Sequence, residues 1–146
     1  MKSNVYFYSL EETDDINLCL CQLVQKLYKE NKRIIIIDND DKLTDLDKLL
    51  WSFQQNSFLP HKIFSKGDDP DSPILLVSYQ NINKLDLFES YSEIINNSEM
   101  PLIDYEAYNN IHEFVLNNEE HKKICRTKYS KYMNNNFDVM HRKYNE

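Results

Sequence analysis

Glycine is almost absent from this sequence, with a single residue, Gly67, among 146. Loops that hold phosphate need several glycines, because only a residue without a side chain lets the backbone approach a pyrophosphate closely. The sequence therefore contains neither the glycine-rich dinucleotide fingerprint nor a P-loop.

Long apolar runs are absent as well. No stretch reaches the roughly 18 consecutive apolar residues that a membrane-spanning helix needs. Residues 1–8 carry one lysine and no long apolar run, which does not fit a secretory signal. We therefore expect a soluble, cytoplasmic protein that does not enter a membrane.

Cysteine is scarce, with three residues, Cys19, Cys21 and Cys125. An odd number set mainly in helical patterns does not indicate a disulfide framework. A zinc site at Cys19 and Cys21 would need two further ligands at suitable spacing, and the four histidines are scattered singly. We expect no metal and no other cofactor.

The sequence does contain enough apolar material for a core. Its 41% hydrophobic and 12% aromatic residues predict a folded chain. A chain of 146 residues suits one domain, which we expect to span residues 1–146.

Charge is divided unevenly along the chain. Residues 119–146 carry seven basic and four acidic side chains, a net charge of +3, whereas residues 1–118 carry ten and twenty, a net charge of −10. An acidic body repels a long polyphosphate such as DNA. The basic end suits a short, acidic, partly apolar ligand better.

The order of local patterns indicates an α/β fold. Val5 to Leu10 mixes β-branched and aromatic residues, which is typical of a strand. Thr13 to Asp15 then offer N-cap oxygens for a helix that ends near Asn31. The four isoleucines Ile34 to Ile37, without polar alternation, predict a strand buried on both faces. We predict a three-layer, Rossmann-like domain with a mostly parallel central sheet.

Weaker patterns predict the remaining elements, and His112 is expected to point outwards from its strand. The predicted elements are a helix from Leu43 to Trp51, a strand from Pro73 to Tyr79, a short strand from Leu85 to Tyr91, a turn from Asn96 to Pro101, a helical turn within Leu102 to Tyr108, a last strand from Ile111 to Leu116 and a C-terminal helix.

Asp38 and Asp40 follow the isoleucine strand as Asp-x-Asp. Haloacid-dehalogenase-like phosphatases present a nucleophile and a general acid in this way. That chemistry also needs Mg²⁺ and a second acidic pair after another strand, which the later strands do not supply. The favoured interpretation is structural: Asp38 ends the strand, and Asp40 or Asp41 caps the next helix. A small Mg²⁺-dependent phosphatase using Asp38 and Asp40 is the alternative.

The C-terminal helical stretch combines basic and aromatic residues. Lys122, Arg126, Tyr129 and Met133 recur at a spacing that places them on one side of a helix. A guanidinium pairs with a carboxylate through two hydrogen bonds, while a neighbouring ring and thioether cover apolar surface. Alternatively, Tyr129 and Met133 form the buried edge of an amphipathic helix whose lysines are solvated.

The segments LW at 50–51 and SFLPH at 57–61 resemble the "LW…SF(V/L)PH" segment of the chi subunit family of bacterial DNA polymerase III. In that family the segment follows the second helix of a Rossmann-like fold, and its aromatics belong to a protein-binding surface. The resemblance implies that Trp51, Phe58 and Pro60 form an interface for the psi subunit, another clamp-loader subunit or a helicase. Without the resemblance, the tryptophan would be assigned to the core.

The same family resemblance extends to the C-terminal part of the chain. Its matching residues are Glu113, Phe114, Val115, Lys122, Arg126, Tyr129, Tyr132 and Phe137. In chi proteins this region binds the acidic C-terminal tail of single-stranded DNA-binding protein, which ends in Pro-Phe and a free carboxylate. The resemblance therefore implies a tail-binding site with the residues Val115, Lys122, Arg126, Tyr129, Lys131 and Met133.

One position departs from the family pattern. Chi proteins commonly carry a basic residue directly after the tyrosine, where this chain has Ser130, with Lys131 one step further on. Whether Lys131 replaces the missing charge is open at this stage. The implied function is that of a non-catalytic adaptor, which tethers the replicase to coated single-stranded DNA and contacts DNA only indirectly.

Overall fold

The computed structural model describes residues 3–53, 58–64, 72–81, 90–103 and 110–144. Its elements, in chain order, are β1 (Asn4–Ser9), α1 (Ile16–Lys29), β2 (Ile34–Asp38), a short 3₁₀ helix (Asp40–Lys42), α2 (Leu43–Ser52), β3 (His61–Ile63), β4 (Ile74–Ser78), β5 (Glu93–Asn96), β6 (Asn110–Val115), α3 (Glu119–Asn134) and β7 (Asp138–Lys143).

The seven strands in this part of the chain form one sheet in the order β3-β4-β2-β5-β6-β1-β7. Every neighbouring pair is parallel. The predicted α/β fold with a parallel sheet is confirmed. Within the described residues, no helix is both long and apolar enough to cross a membrane.

The isoleucine strand β2 lies inside the sheet because it has no face that tolerates water. Its residues Ile34 to Ile37 are all 0% exposed, and β2 pairs with β4 on one side and β5 on the other. Full burial of one such side chain contributes about 1.5–3 kcal/mol relative to exposure. This strand therefore anchors the core.

Helices cover the sheet on both faces. Ile34 and Ile36 pack in the same apolar cluster as residues of α1 and α2, whereas Ile35 and Ile37 belong to the cluster that includes Cys125 and Tyr132 of α3. Alternate residues of a strand point to opposite faces. The same four-residue run thus supplies both halves of a three-layer domain.

Side chains cap the N-termini of α1 and α3, and the cap of α1 comes from the residues predicted for it. The Asp15 carboxylate accepts hydrogen bonds from the first backbone N–H groups of α1, and the Asn118 side chain accepts one from His121 N at 2.8 Å in α3. The expected cap of α2 by Asp40 or Asp41 is wrong. Both residues lie in the 3₁₀ helix instead, and α2 begins without a side-chain cap.

Two predictions about the second half of the sheet are wrong. β6 is not the last strand, since β7 follows α3 and pairs with β1. His112 does not face outwards but is 4% exposed. Its ring nitrogens contact Glu93 Oε1 at 3.0 Å and the Tyr8 hydroxyl at 2.8 Å, so neighbouring strands satisfy its polarity and allow burial.

The strands β3 and β5 were not predicted from the sequence. Both are short, and β5 contains the charged residue Glu93, which breaks the apolar pattern of a buried strand. The predicted strand from Leu85 to Tyr91 and the helical turn within Leu102 to Tyr108 fall mainly outside the described residues.

Candidate functional site

A groove of about 520 Å³ lies between α3 and the strands β1, β6 and β7. It forms because parallel strands in register present alternate residues to the same helix: Phe7 pairs with His141, and Ser9 pairs with Val115. The groove is lined by Phe7, Ser9, Val115, Lys122, Cys125, Arg126, Tyr129, Ser130 and His141.

The floor of the groove is apolar. Phe7 is 2% exposed and Tyr129 is 37% exposed, and their ring centroids lie 5.5 Å apart at an interplanar angle of 50°. Burial raises the pKa of the Cys125 thiol to about 11, so this side chain is neutral and acts as a small hydrophobe. Such a floor fits an aromatic or aliphatic group.

The rim of the groove is cationic. Lys122 and Arg126 lie one turn apart on α3 and both line the groove. Arg126 makes a long ion pair with Glu119, at 3.7 Å, and both side chains are mostly exposed. An exposed pair of this kind is weak, so the guanidinium keeps hydrogen-bond donors for an anionic ligand.

The sheet adds a polar pair to the groove. The Ser9 hydroxyl and His141 Nε2 lie 2.5 Å apart across β1 and β7. The sequence did not assign Ser9, His141 or Phe7 to the site. His141 was missed because β7 was not predicted. Period-two alternation within β1 would have placed Phe7 and Ser9 on one face, but nothing local identifies the helix that covers that face.

The structure brings together four of the six residues predicted for the tail site, namely Val115, Lys122, Arg126 and Tyr129. Met133 and Lys131 are exposed but do not line the groove. Met133 lies one turn beyond Tyr129, and Lys131 is rotated about 200° from Tyr129 around the helix. Ser130, the position where the family resemblance implies a basic residue, lines the groove.

A buried polar network, whose residues do not line the groove, holds α3 on the sheet. Lys128 Nζ contacts the Glu113 carboxylate and donates to the Ser98 carbonyl at 2.8 Å. Tyr132 and Asn96 donate to Glu113 Oε2 at 2.7 and 2.9 Å. Burial raises the pKa of Glu113 although Lys128 opposes the shift. Lys128 is therefore internal and does not contribute to the basic surface that its position in the sequence suggested.

The second predicted site lies at the opposite edge of the sheet, on α2 and beside β3. Trp51 is 52% exposed and Phe58 is 69% exposed, with ring centroids 5.7 Å apart. The alternative assignment of Trp51 to the core is therefore wrong. His61 supports the tryptophan ring at 4.3 Å. Pro60 beside them is half-buried. We call Trp51, Phe58 and Pro60 the aromatic patch.

Asp38 and Asp40 differ in environment. Asp38 is 2% exposed, and its two oxygens accept hydrogen bonds from Asn97 Nδ2 and the Asn39 backbone N–H, both at 2.7 Å. Asp40 is exposed in the 3₁₀ helix. The described residues contain no group of three or more His, Cys, Asp or Glu side chains positioned to hold a metal ion.

Comparisons with known proteins agree with this architecture. The family model described as DNA polymerase III chi subunit, HolC, matches residues 1–140. A DNA polymerase III subunit chi from Escherichia coli strain K12 is 23% identical over 137 residues, which cover 88% of this chain and 90% of the relative. The subunit chi of Haemophilus influenzae strain Rd is 22% identical over 134 residues, covering 88% and 89%.

A solved structure described as "The crystal structure of T4 UvsW" matches with a TM-score of 0.64 at 9% sequence identity. The match covers 97% of this chain and 41% of that chain, and it shows the fold alone. The family match, in contrast, spans nearly the whole sequence. The chain belongs to the DNA polymerase III chi subunit family, whose members are non-catalytic accessory subunits of a replicative polymerase.

Proposed function

We propose that this subunit binds the acidic C-terminal tail of single-stranded DNA-binding protein in the groove beneath α3. Through that contact it tethers the polymerase III holoenzyme to coated single-stranded DNA in the cytoplasm, as one domain of residues 1–146 that needs no cofactor. The observation that carries the proposal is the apolar floor of Phe7 and Tyr129 next to the free donors of Arg126. DNA itself is contacted only indirectly, because the body of the protein is acidic.

The groove complements the two groups of the ligand's terminal phenylalanine, its ring and its carboxylate. A terminal phenylalanine ring that moves from water onto the floor gains about 1.5–3 kcal/mol. A charge-assisted hydrogen bond between Arg126 and the terminal carboxylate adds about 1.5–3 kcal/mol. After the entropy of ordering a flexible tail, an affinity of about 1 μM, near −8 kcal/mol, is expected.

The other polar residues act around this pair. Lys122 lines the groove and attracts the acidic residues that precede the carboxylate, with Lys131 acting at longer range because it lies outside the groove. The Ser9 and His141 pair offers a second polar contact opposite Arg126. Met133, which is 50% exposed, covers the outer end of the tail.

A titration with an acidic peptide ending in Pro-Phe tests the proposal. The free-acid peptide should bind with about micromolar affinity, measured by calorimetry, and shift the amide resonances of α3. Arg126→Ala should weaken binding about tenfold or more, whereas Arg142→Ala, which removes an exposed arginine stacked on Tyr6 away from the groove, should leave it nearly unchanged.

The peptide's own carboxylate supplies the decisive control. Amidating the C-terminus should weaken binding as much as Arg126→Ala, because it removes the other half of the same pair. If the amidated peptide binds as well as the free acid, Arg126 does not hold the carboxylate and the assignment of the site is wrong.

The aromatic patch is proposed as a second, independent protein interface. Two exposed rings beside each other are unusual on a monomer's surface and typical of interface anchors. The partner is the psi subunit, another clamp-loader subunit or a helicase. The patch and the groove lie at opposite edges of a seven-stranded sheet, roughly 25–30 Å apart at normal strand spacing, so both partners can bind at once.

A further inference from the structure

The chain connections leave the neighbouring strands β2 and β5 in opposite directions. The chain leaves β2 towards β3 and β4, whereas it leaves β5 towards β6 on the other side. Connections that diverge in this way open a crevice above the carboxyl ends of the strands, where open α/β sheets generally hold ligands. A cavity of about 300 Å³ lies at this point, next to Asp38 at the end of β2 and Asn97 after β5.

Asp38 is a buried carboxylate without a counter-charge in contact. Its hydrogen-bond donors, Asn97 Nδ2 and Asn39 N, are neutral, and the ion pairs of the described residues do not include it. Burial raises the pKa of Asp38, although these hydrogen bonds and the charge of Lys42 oppose the shift. A buried charge without an opposite charge in contact is costly even when it is hydrogen-bonded, which marks this carboxylate as a position for a cation.

The crevice is unsuited to the phosphate that such crevices hold in nucleotide-binding sheets. Three carboxylates line it, those of Asp38, Asp45 and Glu99, against one lysine, Lys42. His121 also lines it, and burial lowers the pKa of this imidazole. The Asp15 carboxylate already accepts hydrogen bonds from the first N–H groups of α1. An anion would therefore meet repulsion and find these helix donors occupied.

Part of the remaining lining is aliphatic. Leu46 and Leu49 of α2 and Leu116 after β6 lie beside the carboxylates, while Asn17 and His121 add polar groups. An aliphatic wall next to a buried carboxylate complements an alkyl chain that ends in an ammonium group. We propose that this crevice binds an alkylammonium group, with Asp38 as its ion-pair partner and the leucines against its methylene chain. A lysine side chain of a partner protein and a free aliphatic amine share this chemistry.

Two probes test the proposal on the full ¹⁵N-labelled chain, namely 1,5-diaminopentane and Nα-acetyl-lysine methylamide. Either should produce saturable chemical-shift changes at the amides of Asn39, Asn97 and Leu116, while 1-pentanol, which lacks the charge, should not. The probe that binds more tightly identifies the kind of ligand: 1,5-diaminopentane indicates a free amine, and Nα-acetyl-lysine methylamide indicates a lysine within a polypeptide. If neither probe shifts these amides, the proposal is wrong.

Variants with matched charge changes separate a site from general attraction to an acidic surface. Asp38→Asn should weaken binding at least tenfold, and Glu99→Gln should weaken it severalfold. Asp138→Asn, an equal change of charge at an exposed residue on β7 outside the cavity, should have no effect. Lys42→Met should strengthen binding because it removes a competing cation. Equal weakening by Asp38→Asn and Asp138→Asn would show nonspecific charge attraction and overturn the proposal.

Discussion

Lys128→Met tests whether the buried ion pair between Lys128 and Glu113 holds α3 on the sheet. Lys128 is 4% exposed and Glu113 is 1% exposed, and the variant leaves the Glu113 carboxylate with Tyr132 and Asn96 as neutral donors. Removing one partner of a buried ion pair costs about 3–5 kcal/mol. For a domain of this size such a loss lowers the melting temperature by on the order of 10 °C.

Urea unfolding followed by circular dichroism measures this loss, with Lys123→Met on the exposed side of α3 as the matched control. The control should change stability by less than about 0.5 kcal/mol. Adding Glu113→Gln to Lys128→Met should recover much of the loss, because the double variant buries no charge.

The pH dependence of Lys128→Met provides a second check. Burial raises the pKa of Glu113, and without Lys128 the opposing effect is gone. A carboxyl group whose folded pKa lies above its unfolded value stabilises the fold at low pH and loses that contribution as pH rises through the folded pKa. The difference in the free energy of unfolding between Lys128→Met and the wild type should therefore be smaller at pH 5 than at pH 8. A loss below about 1 kcal/mol, or one equal at both pH values, would refute the ion-pair argument.

Three further predictions concern other parts of the molecule. Phe58→Ala should cost a partner at the aromatic patch about 2 kcal/mol or more while tail-peptide binding and the melting temperature stay unchanged; a variant that unfolds would place Phe58 in the core. Asp40→Asn should leave tail-peptide affinity unchanged, and a Mg²⁺-dependent phosphatase turnover that this variant abolished would contradict the accessory role. Burial alone would raise the pKa of Glu93, but hydrogen bonds led by that of His112 outweigh burial and lower it. The ionised Glu93 carboxylate therefore stabilises the fold fully above about pH 4.5. This stabilisation is lost as the pH falls through the folded-state pKa. His112→Ala should remove that contribution at neutral pH, about 1–3 kcal/mol, as acid-unfolding curves would show.

The sequence alone determined the class of fold and much of the chemistry at the C-terminal end. The isoleucine run predicted a strand buried on both faces, since four β-branched residues in a row favour a strand and leave neither face for water. The single glycine excluded a phosphate loop. The spacing of Lys122, Arg126 and Tyr129 placed them on one side of a helix, because that spacing is a local property of the helix itself.

Only the tertiary structure decided which of these residues face a groove and which lie inside. The spacing of apolar residues along the sequence identifies which face of a helix or strand is apolar. The order of the strands in space decides which element packs against that face. β7, a polar edge strand, pairs with β1 across the sheet and brings His141 to the groove. Lys128 points into the core because it pairs there with the buried Glu113 carboxylate on β6. Trp51 is exposed because α2 packs its leucine face, and not its tryptophan, against the core. These outcomes depend on partners far away in the sequence, which local patterns do not encode.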